Sequence, residues 1–204
     1  MSDTFKKTIA LYSKLGTEYL DDIEAFTPVD IQEFIDLLPE NGKVLEIGCA
    51  GGRDAKVFIK QGFEYVGIDL VAKFIKEAKK RVPKGVFKKM DVLQLDFPKN
   101  YFDAVWANAV FLHLDKKDVP KALKNIYRML KPGGKIHVRV KRGKGSVYTK
   151  DNLSKENKRL FTFFYKNELE KFIKDSSFKI ISSKILPDDL GRNVEWASVW
   201  AEKK

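Results

Sequence analysis

The hydrophobic pattern divides the chain into a helical beginning and a longer alternation of short apolar runs with amphipathic segments. Apolar residues recur at helical spacing over residues 3–25, which predicts a helix or a pair of helices. A second helix is predicted over 28–39, with Pro28 at its start and Pro39 at its end. From Lys43 onward, apolar runs typical of buried strands alternate with helical stretches. This order predicts a parallel β-sheet with helices on both faces.

Seven strands and four further helices follow from this alternation. The predicted strands cover residues 44–47, 65–68, 86–89, 102–106, 135–140, 179–186 and 194–201. The predicted helices cover residues 54–61, 71–82, 116–130 and 166–174. The link at 187–193 is too short for a crossover helix, so the last two strands are predicted to be antiparallel neighbours.

The composition is that of an ordinary globular protein. The chain has 204 residues, of which 44% are hydrophobic and 33% charged, enough to bury one sizeable core. One cysteine and two histidines argue against a disulfide framework and against a Cys-rich or His-rich metal centre. No window approaches the roughly 18 apolar residues of a membrane span, and no signal-peptide pattern begins the chain. We therefore expect a single domain over 1–204 that is cytoplasmic and uses neither membrane nor metal.

The net charge of +11 is unevenly distributed. Residues 1–40 contain three Lys and nine Asp or Glu, a net charge of −6, so the remaining residues carry +17. Much of this positive charge lies in 139–159, which follows the fifth predicted strand and is expected on the substrate side. Three interpretations of this segment stay open: a site for an acidic or phosphorylated small molecule, an RNA-binding surface, or a solvated loop over a buried strand at 161–164.

The strongest local signal is a loop of small residues at 48–52, between the first predicted strand and the next helix. In an open parallel sheet this loop lies at the carboxyl end of the strand, where ligands bind. A dinucleotide fingerprint that begins at Gly48 requires glycine where Ala50 and Arg53 stand, so a pyrophosphate-binding loop is disfavoured. Asp69 ends the second strand 21 residues after Gly48, a spacing typical of an acid that binds ribose hydroxyls. It could also cap the following helix.

Five motifs in order resemble those of the class I S-adenosylmethionine (SAM)-dependent methyltransferases. They are LEIGCAGG, GIDL, KKMDVLQL, FDAVWANAVFLHL and LKPGGKI. FTFFYKNELEKFIKDSSFKIISSKI and WASVWAEKK resemble the family's final helix and β-hairpin, so the resemblance covers nearly the whole chain. It implies an α/β Rossmann-like three-layer αβα sandwich. The implied sheet has seven mostly parallel strands in the order 3-2-1-4-5-7-6, with the last strand antiparallel.

The resemblance also divides the chain into three parts and implies SAM as the cofactor. A helical cover is expected over 1–40, a SAM-binding core over 43–141, and a substrate-side loop, helix and hairpin over 142–204. The residues expected to bind the cofactor are Tyr12, Tyr19, Glu46, Gly48, Ala50, Gly52, Arg53, Asp69, Leu70, Asp91, Val92 and Asn108.

Individual roles carry over from the family to the matching positions. Asp69 would hold the ribose and Leu70 would pack on the adenine, while Asp91 would accept a hydrogen bond from the adenine amino group beside the Val92 N–H. The glycine loop and Asn108 would lie against the methionine part.

The remaining cofactor roles fall on the N-terminal tyrosines and on Arg53. Tyr12 and Tyr19 resemble tyrosines that close over the cofactor, and Arg53 could pair with its carboxylate. Ala50 departs from the glycine usual in this family, and a left-handed backbone there would cost about 1 kcal/mol or more. Related sequences often carry an acid where RGKGS stands at 142–146, so the expected rim of the site is unusually basic.

The expected reaction is methyl transfer to a small molecule. Such an in-line displacement chiefly requires positioning and a dry cavity. Base-methylating classes are disfavoured, because NAVF replaces their Asn/Asp-Pro-Pro-aromatic pattern and the single cysteine lies in the cofactor loop. His113 is the best acid/base candidate, although it could simply cap or fill space, and His137 is predicted to be a packed or surface residue. Two alternatives stay open: a tRNA or rRNA methyltransferase that uses 139–159, and a catalytically silent SAM-binding partner subunit.

Overall fold

The computed structural model describes residues 3–150, 153, 157–189 and 191–204. The helices are α1 (Asp3–Leu15), α2 (Thr17–Glu24), α3 (Ile31–Ile35), α4 (Arg53–Lys60), α5 (Ala72–Arg81), α6 (Val119–Met129) and α7 (Lys166–Asp175). The strands are β1 (Lys43–Ile47), β2 (Glu64–Asp69), β3 (Val86–Lys89), β4 (Phe102–Asn108), β5 (Leu130–Lys141), β6 (Ser146–Thr149), β7 (Arg159–Thr162), β8 (Phe178–Pro187) and β9 (Glu195–Lys203).

The main sheet has seven strands in the order β3-β2-β1-β4-β5-β9-β8. β1 to β5 pair in parallel, whereas β9 is antiparallel to both β5 and β8. β6 and β7 form a separate two-stranded antiparallel sheet. When that small sheet is left aside, the seven strands follow the predicted order 3-2-1-4-5-7-6. The Rossmann-like α/β fold and its antiparallel last strand are therefore confirmed.

Both faces of the sheet are covered, which explains the unbroken apolar runs in its central strands. Adjacent residues of a strand point to opposite faces, yet Val44 and Leu45 of β1 are both fully buried. Leu45 packs in the core shared with α6 and α7, while Val44 packs with Phe34 of α3 and Phe58 of α4. Two helical layers thus enclose the sheet, as the continuous hydrophobic runs predict.

The strand order reverses between β1 and β4, and this position places the candidate site. β1 lies between β2 on one side and β4 on the other, so the connections after β1 and β4 diverge at the carboxyl edge. The Gly48 and Cys49 N–H groups both bond to the Ile68 carbonyl, which ties the loop after β1 to the end of β2. A topological switch point of this kind is where open α/β sheets bind ligands.

Two predicted helices have other boundaries in the structure, and one small sheet was not predicted. The helix predicted over 116–130 begins with a 3₁₀ turn, and α6 proper starts at Val119, just before Pro120, because proline favours the first turn of a helix. The helix predicted over 28–39 contains only the five residues of α3. The β6–β7 sheet was not predicted, since β6 is short, polar and largely exposed.

The N-terminal helices do not all lie in one place. α1 contacts β7, where the Leu160 N–H donates to the Thr8 hydroxyl over 2.8 Å. α3 instead packs on the face of the sheet, with the Phe34 ring 5.4 Å from that of Trp106. Within the described part of the chain, no helix is both long and apolar enough to cross a bilayer.

Candidate active site

Two neighbouring cavities lie at the carboxyl edge of the sheet, with volumes of about 140 Å³ and 100 Å³. They share six lining residues: Tyr12, Tyr19, Gly48, Ala50, Ala109 and His113. We call the smaller one the apolar cavity; its other lining residues include Ile68, Asp69, Leu70, Phe74, Met90 and Val92. We call the larger one the polar cavity; its other lining residues include Glu46, Arg53, Asn108, Lys141, Arg159 and Arg192.

The glycine loop adopts left-handed backbone at three positions. Gly48, Ala50 and Gly52 have φ values of 75°, 44° and 82°. A Cβ on Gly48 would lie only 2.8 Å from the Val110 side chain, so this position requires glycine. Ala50 lacks the glycine that its conformation favours, and the expected strain of about 1 kcal/mol applies to it. Gly52 caps α4 and lines neither cavity.

Asp69 joins the glycine loop to the apolar cavity. One carboxylate oxygen accepts from the Ala50 N–H at 3.1 Å and the other from the Val71 N–H at 2.8 Å. Asp69 does not cap α5 itself, because the cap residue of that helix is Val71, whose own N–H it binds. Burial raises the pKa of Asp69 to about 6, against the opposing effect of these N–H groups. Each oxygen can still accept a further hydrogen bond from a ribose hydroxyl.

Asp91 offers an unused acceptor next to the apolar cavity. Its Oδ1 accepts from the Leu93 N–H at 2.9 Å and caps the short turn that starts at Val92. Its Oδ2 is buried and has no hydrogen-bond partner in the described part of the chain. Asp91 itself lines neither cavity, whereas its neighbours Met90 and Val92 line the apolar one, as does Leu70. A buried acceptor without a partner suits a ligand amino group, so these residues fit an adenine.

Aromatic rings from the N-terminal helices lie across the meeting point of the cavities. The Tyr12 and Tyr19 rings are 4.9 Å apart in an edge-on arrangement, and Tyr19 stacks on Phe74 of α5 at 5.7 Å. Phe74 was not predicted as a site residue, since its helical spacing indicates only a core position. The two tyrosines thus line both cavities together with Gly48 and Ala50 of the loop.

His113 is held by hydrogen bonds at both ring nitrogens. Nδ1 lies 2.7 Å from the Leu160 carbonyl and Nε2 lies 2.8 Å from the Tyr12 hydroxyl. Because a carbonyl can only accept, Nδ1 carries the proton and neutral Nε2 accepts from Tyr12. The Arg159 guanidinium donates to the same hydroxyl. Three distant segments therefore meet where the two cavities join.

Two further predicted residues line the polar cavity at the ends of their strands. Asn108 is half-buried at the end of β4. Glu46 is buried in β1, and the Tyr65 hydroxyl donates to its carboxyl group. Burial, together with the charge of Asp54, raises the pKa of Glu46 well above its usual range. Burial therefore favours the protonated form of Glu46.

The expectation of a solvated basic loop is wrong for three cations of 139–159, while the RNA-binding alternative stays a prediction. Arg139, Lys141 and Arg159 are all buried. Arg139 forms a bidentate ion pair with Asp189 at 2.6 and 3.1 Å, and Lys141 lies 3.8 Å from the centre of the Phe161 ring. Residues 151, 152 and 154–156 of this segment lie outside the described residues. Three cations of the segment thus point inward, two of them into the polar cavity.

His137 is a packed core residue, the first of the two predicted possibilities. It stacks on Trp106 at 4.1 Å, contacts Trp200, and bonds through Nε2 to Asp30 at 2.9 Å. Although burial opposes ionisation of Asp30, His137 and Arg139 lower the pKa of that carboxyl to about 2. The described residues contain no group of three or more His, Cys, Asp or Glu side chains that could hold a metal ion.

Comparison with known proteins shows which families and relatives the chain resembles. Residues 45–138 match the family model for the methyltransferase domain. The phosphoethanolamine N-methyltransferase of Plasmodium falciparum is 35% identical over 103 residues, covering 48% of this chain and 39% of the relative. The 2-methyl-6-phytyl-1,4-hydroquinone methyltransferase of Synechocystis is 34% identical over 104 residues, covering 49% and 32%. The chain is similar to methyltransferases over these residues. It spans two fifths or less of the length of these curated relatives.

Solved structures show the same fold. A SAM-dependent methyltransferase from Methanosarcina mazei superposes with a TM-score of 0.77 at 21% identity, covering 84% of this chain and 96% of that one. The 1,6-didemethyltoxoflavin-N1-methyltransferase of Burkholderia thailandensis, with bound S-adenosylhomocysteine (SAH), gives 0.67 at 22% identity, covering 81% and 72%. The methyltransferase fold expected from the sequence motifs is thereby confirmed.

Proposed function

We propose that this protein transfers a methyl group from SAM to a small-molecule acceptor. The observation that carries the proposal is the pair of cavities that meet at Gly48, Ala50 and His113, one apolar beside Asp69 and one lined by ionisable side chains. SAM, when bound, supplies the electrophilic methyl group. The chain supplies binding, orientation and exclusion of water.

The apolar cavity would hold the adenosine part. Asp69 would accept from the ribose hydroxyls, and Leu70 and Val92 would contact the two sides of the adenine. The partnerless Oδ2 of Asp91 would accept from the adenine amino group. These assignments are supported by the position of Asp69, Leu70 and Val92 in the lining of the apolar cavity, and they agree with the roles that the sequence motifs imply.

The polar cavity would hold the methionine part and the acceptor. The backbone of 48–50 and Asn108 would lie against the methionine part, and Arg53 would pair with its carboxylate. Glu46 lines the same wall. Tyr12 and Tyr19 would cover the joined site and keep water away from the reacting groups.

His113 is the candidate general base. Its neutral Nε2 already accepts a proton donor, the Tyr12 hydroxyl. An acceptor hydroxyl or amine that displaces Tyr12 would meet a nitrogen ready to take its proton, while the Leu160 carbonyl stabilises the charged ring through Nδ1. An acceptor whose nucleophilic atom carries no proton would not need a base. His113 would then only form part of the cavity wall.

We infer an acidic or phosphorylated acceptor. Lys141, Arg159 and Arg192 all line the polar cavity, and cations in such a place suit an anionic ligand. Two of the relatives, from Plasmodium falciparum and Arabidopsis thaliana, are phosphoethanolamine N-methyltransferases. The inward position of Arg159 and Lys141 removes two cations from any RNA-binding surface. Cytoplasmic localisation and a single-domain organisation over 1–204 stay predictions from the sequence.

The test is incubation of the purified protein with methyl-labelled SAM and a fractionated extract of anionic metabolites, neutral metabolites and RNA. We expect label in an anionic small molecule, and none with Asp69→Ala as the control. Label confined to RNA would overturn the small-molecule assignment. Binding of SAM by calorimetry without any transfer would identify a silent partner subunit instead, and absence of binding would overturn the cofactor assignment.

A further inference from the structure

A buried carboxylate stands directly behind Arg53. Asp54 lies in the first turn of α4 and is only 2% exposed. Its Oδ1 accepts from the Arg53 Nε at 2.6 Å, and its Oδ2 accepts from the indole Nε1 of Trp106 at 2.8 Å. Each oxygen therefore serves a different side chain, one of them on α4 and the other on β4.

Asp54 does not serve as the cap of its helix. The cap position of α4 is Gly52, with no side-chain hydrogen bond to the helix end. A carboxylate that is removed from water is stable only when donors satisfy it, and the two donors here are Trp106 and Arg53. The side chain of Asp54 is thus committed to connecting a core tryptophan with a residue of the polar cavity.

Trp106 is a rigid point of attachment. It is fully buried in β4, stacks on His137 with an interplanar angle of 16°, and lies 5.4 Å and 6.0 Å from the rings of Phe34 and Phe58. Such packing fixes the direction of its N–H. The hydrogen bond from the Trp106 indole therefore also fixes the position of the Asp54 carboxylate.

Arg53 uses its Nε for this contact, which leaves the terminal fork of the guanidinium for other partners. The side chain lines the polar cavity, and although burial opposes its charge, the carboxylate of Asp54 raises the pKa of Arg53 above its ordinary value. A flexible arginine loses rotamer entropy when it binds a carboxylate, so an arginine already held at Nε loses less.

We propose that Trp106 and Asp54 are positioning residues that aim the Arg53 fork at the carboxylate of the cofactor's methionine part. The inference rests on the proposed function, since it assumes that the methionine part lies in the polar cavity. Trp106 lines neither cavity, and Asp54 lines the polar cavity but, as a carboxylate, would not pair with the carboxylate of the methionine part. Their effect on affinity therefore has to pass through Arg53.

A double-mutant cycle tests this dependence. SAH affinity is measured by calorimetry for the unmutated protein, Trp106→Phe, Arg53→Met and the double variant. We expect Arg53→Met to weaken binding by about tenfold or more and Trp106→Phe by about fivefold. The double variant should bind no more weakly than Arg53→Met alone. Independent losses that multiply in the double variant would overturn the proposal.

Trp200→Phe is the matched control. Trp200 is equally buried, also lies beside His137, and its Nε1 has no hydrogen-bond partner in the described part of the chain. Its replacement removes the same N–H from the same core and should leave SAH affinity unchanged within about twofold. An equal loss of affinity in Trp200→Phe would show a general core effect and contradict the proposal.

Methylthioadenosine provides a second readout, because it lacks the amino-acid part of SAH. Its affinity should not change in Trp106→Phe or Arg53→Met, and an equal loss for both ligands would overturn the inference. If the unmutated protein binds neither ligand, the proposed function fails instead. Should Trp106→Phe not fold, Asp54→Asn takes its place in the cycle, with the same expected dependence on Arg53.

Discussion

The apolar and polar cavities are built from different parts of the chain. The apolar cavity is lined largely by residues that follow β1, β2 and β3, close in sequence to the glycine loop, such as Asp69 and Val92. The polar cavity adds residues from the second half of the chain, including Lys141, Arg159 and Arg192. One half of the site thus depends on short local motifs and the other on long-range packing.

The two cavities are therefore expected to recognise different molecules. The strand ends that form the apolar cavity belong to the methyltransferase domain match at 45–138, while Lys141, Arg159 and Arg192 lie beyond it. Cofactor recognition is therefore expected in the shared part of the fold. Acceptor recognition is expected in the segments that this chain adds after β5.

The largest expected effect is the loss of SAH affinity when a residue of the apolar cavity is changed. Asp69→Ala should weaken SAH binding about a hundredfold, because it removes acceptors for the ribose and also the link to the Ala50 N–H. Calorimetric titration measures the loss. Asp96→Ala, which removes an exposed carboxylate that lines neither half of the site, is the control and should bind normally. Equal affinities for both variants would contradict the role of Asp69.

Tyr12→Phe tests whether the Tyr12 hydroxyl stabilises the polar cavity without contributing to SAH affinity. The ring and its contacts with Tyr19 and Phe74 remain, but His113 and Arg159 lose a buried partner. We expect the free energy of unfolding to fall by about 2 kcal/mol in denaturant titration. SAH affinity should change by less than about threefold, since the ring keeps its contacts with Tyr19 and Phe74 over the site.

The control for Tyr12→Phe is Tyr165→Phe, where the ring is 45% exposed. That variant should change stability by less than about 0.5 kcal/mol. A large loss of SAH affinity in Tyr12→Phe, without loss of stability, would remove the distinction between the two halves.

The pH dependence of SAH binding should report on Asp69. Its pKa of about 6 means that it becomes protonated as pH falls through 6, and the protonated form is a poorer acceptor. Affinity should therefore be constant above pH 7 and about tenfold weaker at pH 5. Asp69→Asn should abolish this dependence. A pH-independent affinity in the unmutated protein would contradict the assignment.

The raised pKa of Asp69 also makes the free energy of unfolding depend on pH. Because the folded pKa lies above the unfolded value of about 3.9, the folded state holds the proton more tightly. The contribution of Asp69 to stability is present below about pH 4 and is lost as pH rises through 6. Asp69→Asn should remove this pH-dependent component from the unfolding free energy.

The smallest expected effect is on the stability of the loop at 48–52, where Gly48 and Ala50 line both cavities. Ala50→Gly should raise the free energy of unfolding by about 0.5 to 1 kcal/mol, because alanine is strained at φ 44°. Ala72→Gly, at the first residue of α5, should instead lower it by a similar amount. Thermal and denaturant unfolding measure both, and a loss of stability in Ala50→Gly would show that the strain is absent.

The sequence could predict the fold and most of the apolar half. Alternating apolar runs indicate the strands, and the order of the motifs indicates the sheet, because both depend on neighbouring residues. Asp69, Leu70 and Val92 directly follow or border strands whose ends meet at one edge. Their convergence is a consequence of the parallel sheet itself.

The polar half could not be predicted in the same way. Tyr12 and His113 are 101 residues apart, and Arg159 is 147 residues from Tyr12. No local pattern encodes such pairs. The sequence shows that 139–159 is rich in cations. It does not show which of them are buried, as Arg139 is against Asp189. The hydrogen bond from Trp106 to Asp54 likewise depends on packing between β4 and α4.

A crystal structure of the protein with SAH tests the central claim most directly. The account predicts one SAH molecule across both cavities, with the ribose on Asp69, the adenine beside Leu70 and Val92, and the carboxylate on Arg53. The reverse orientation, with the adenine in the polar cavity, or SAH bound elsewhere on the chain would contradict the division of the site into these two halves.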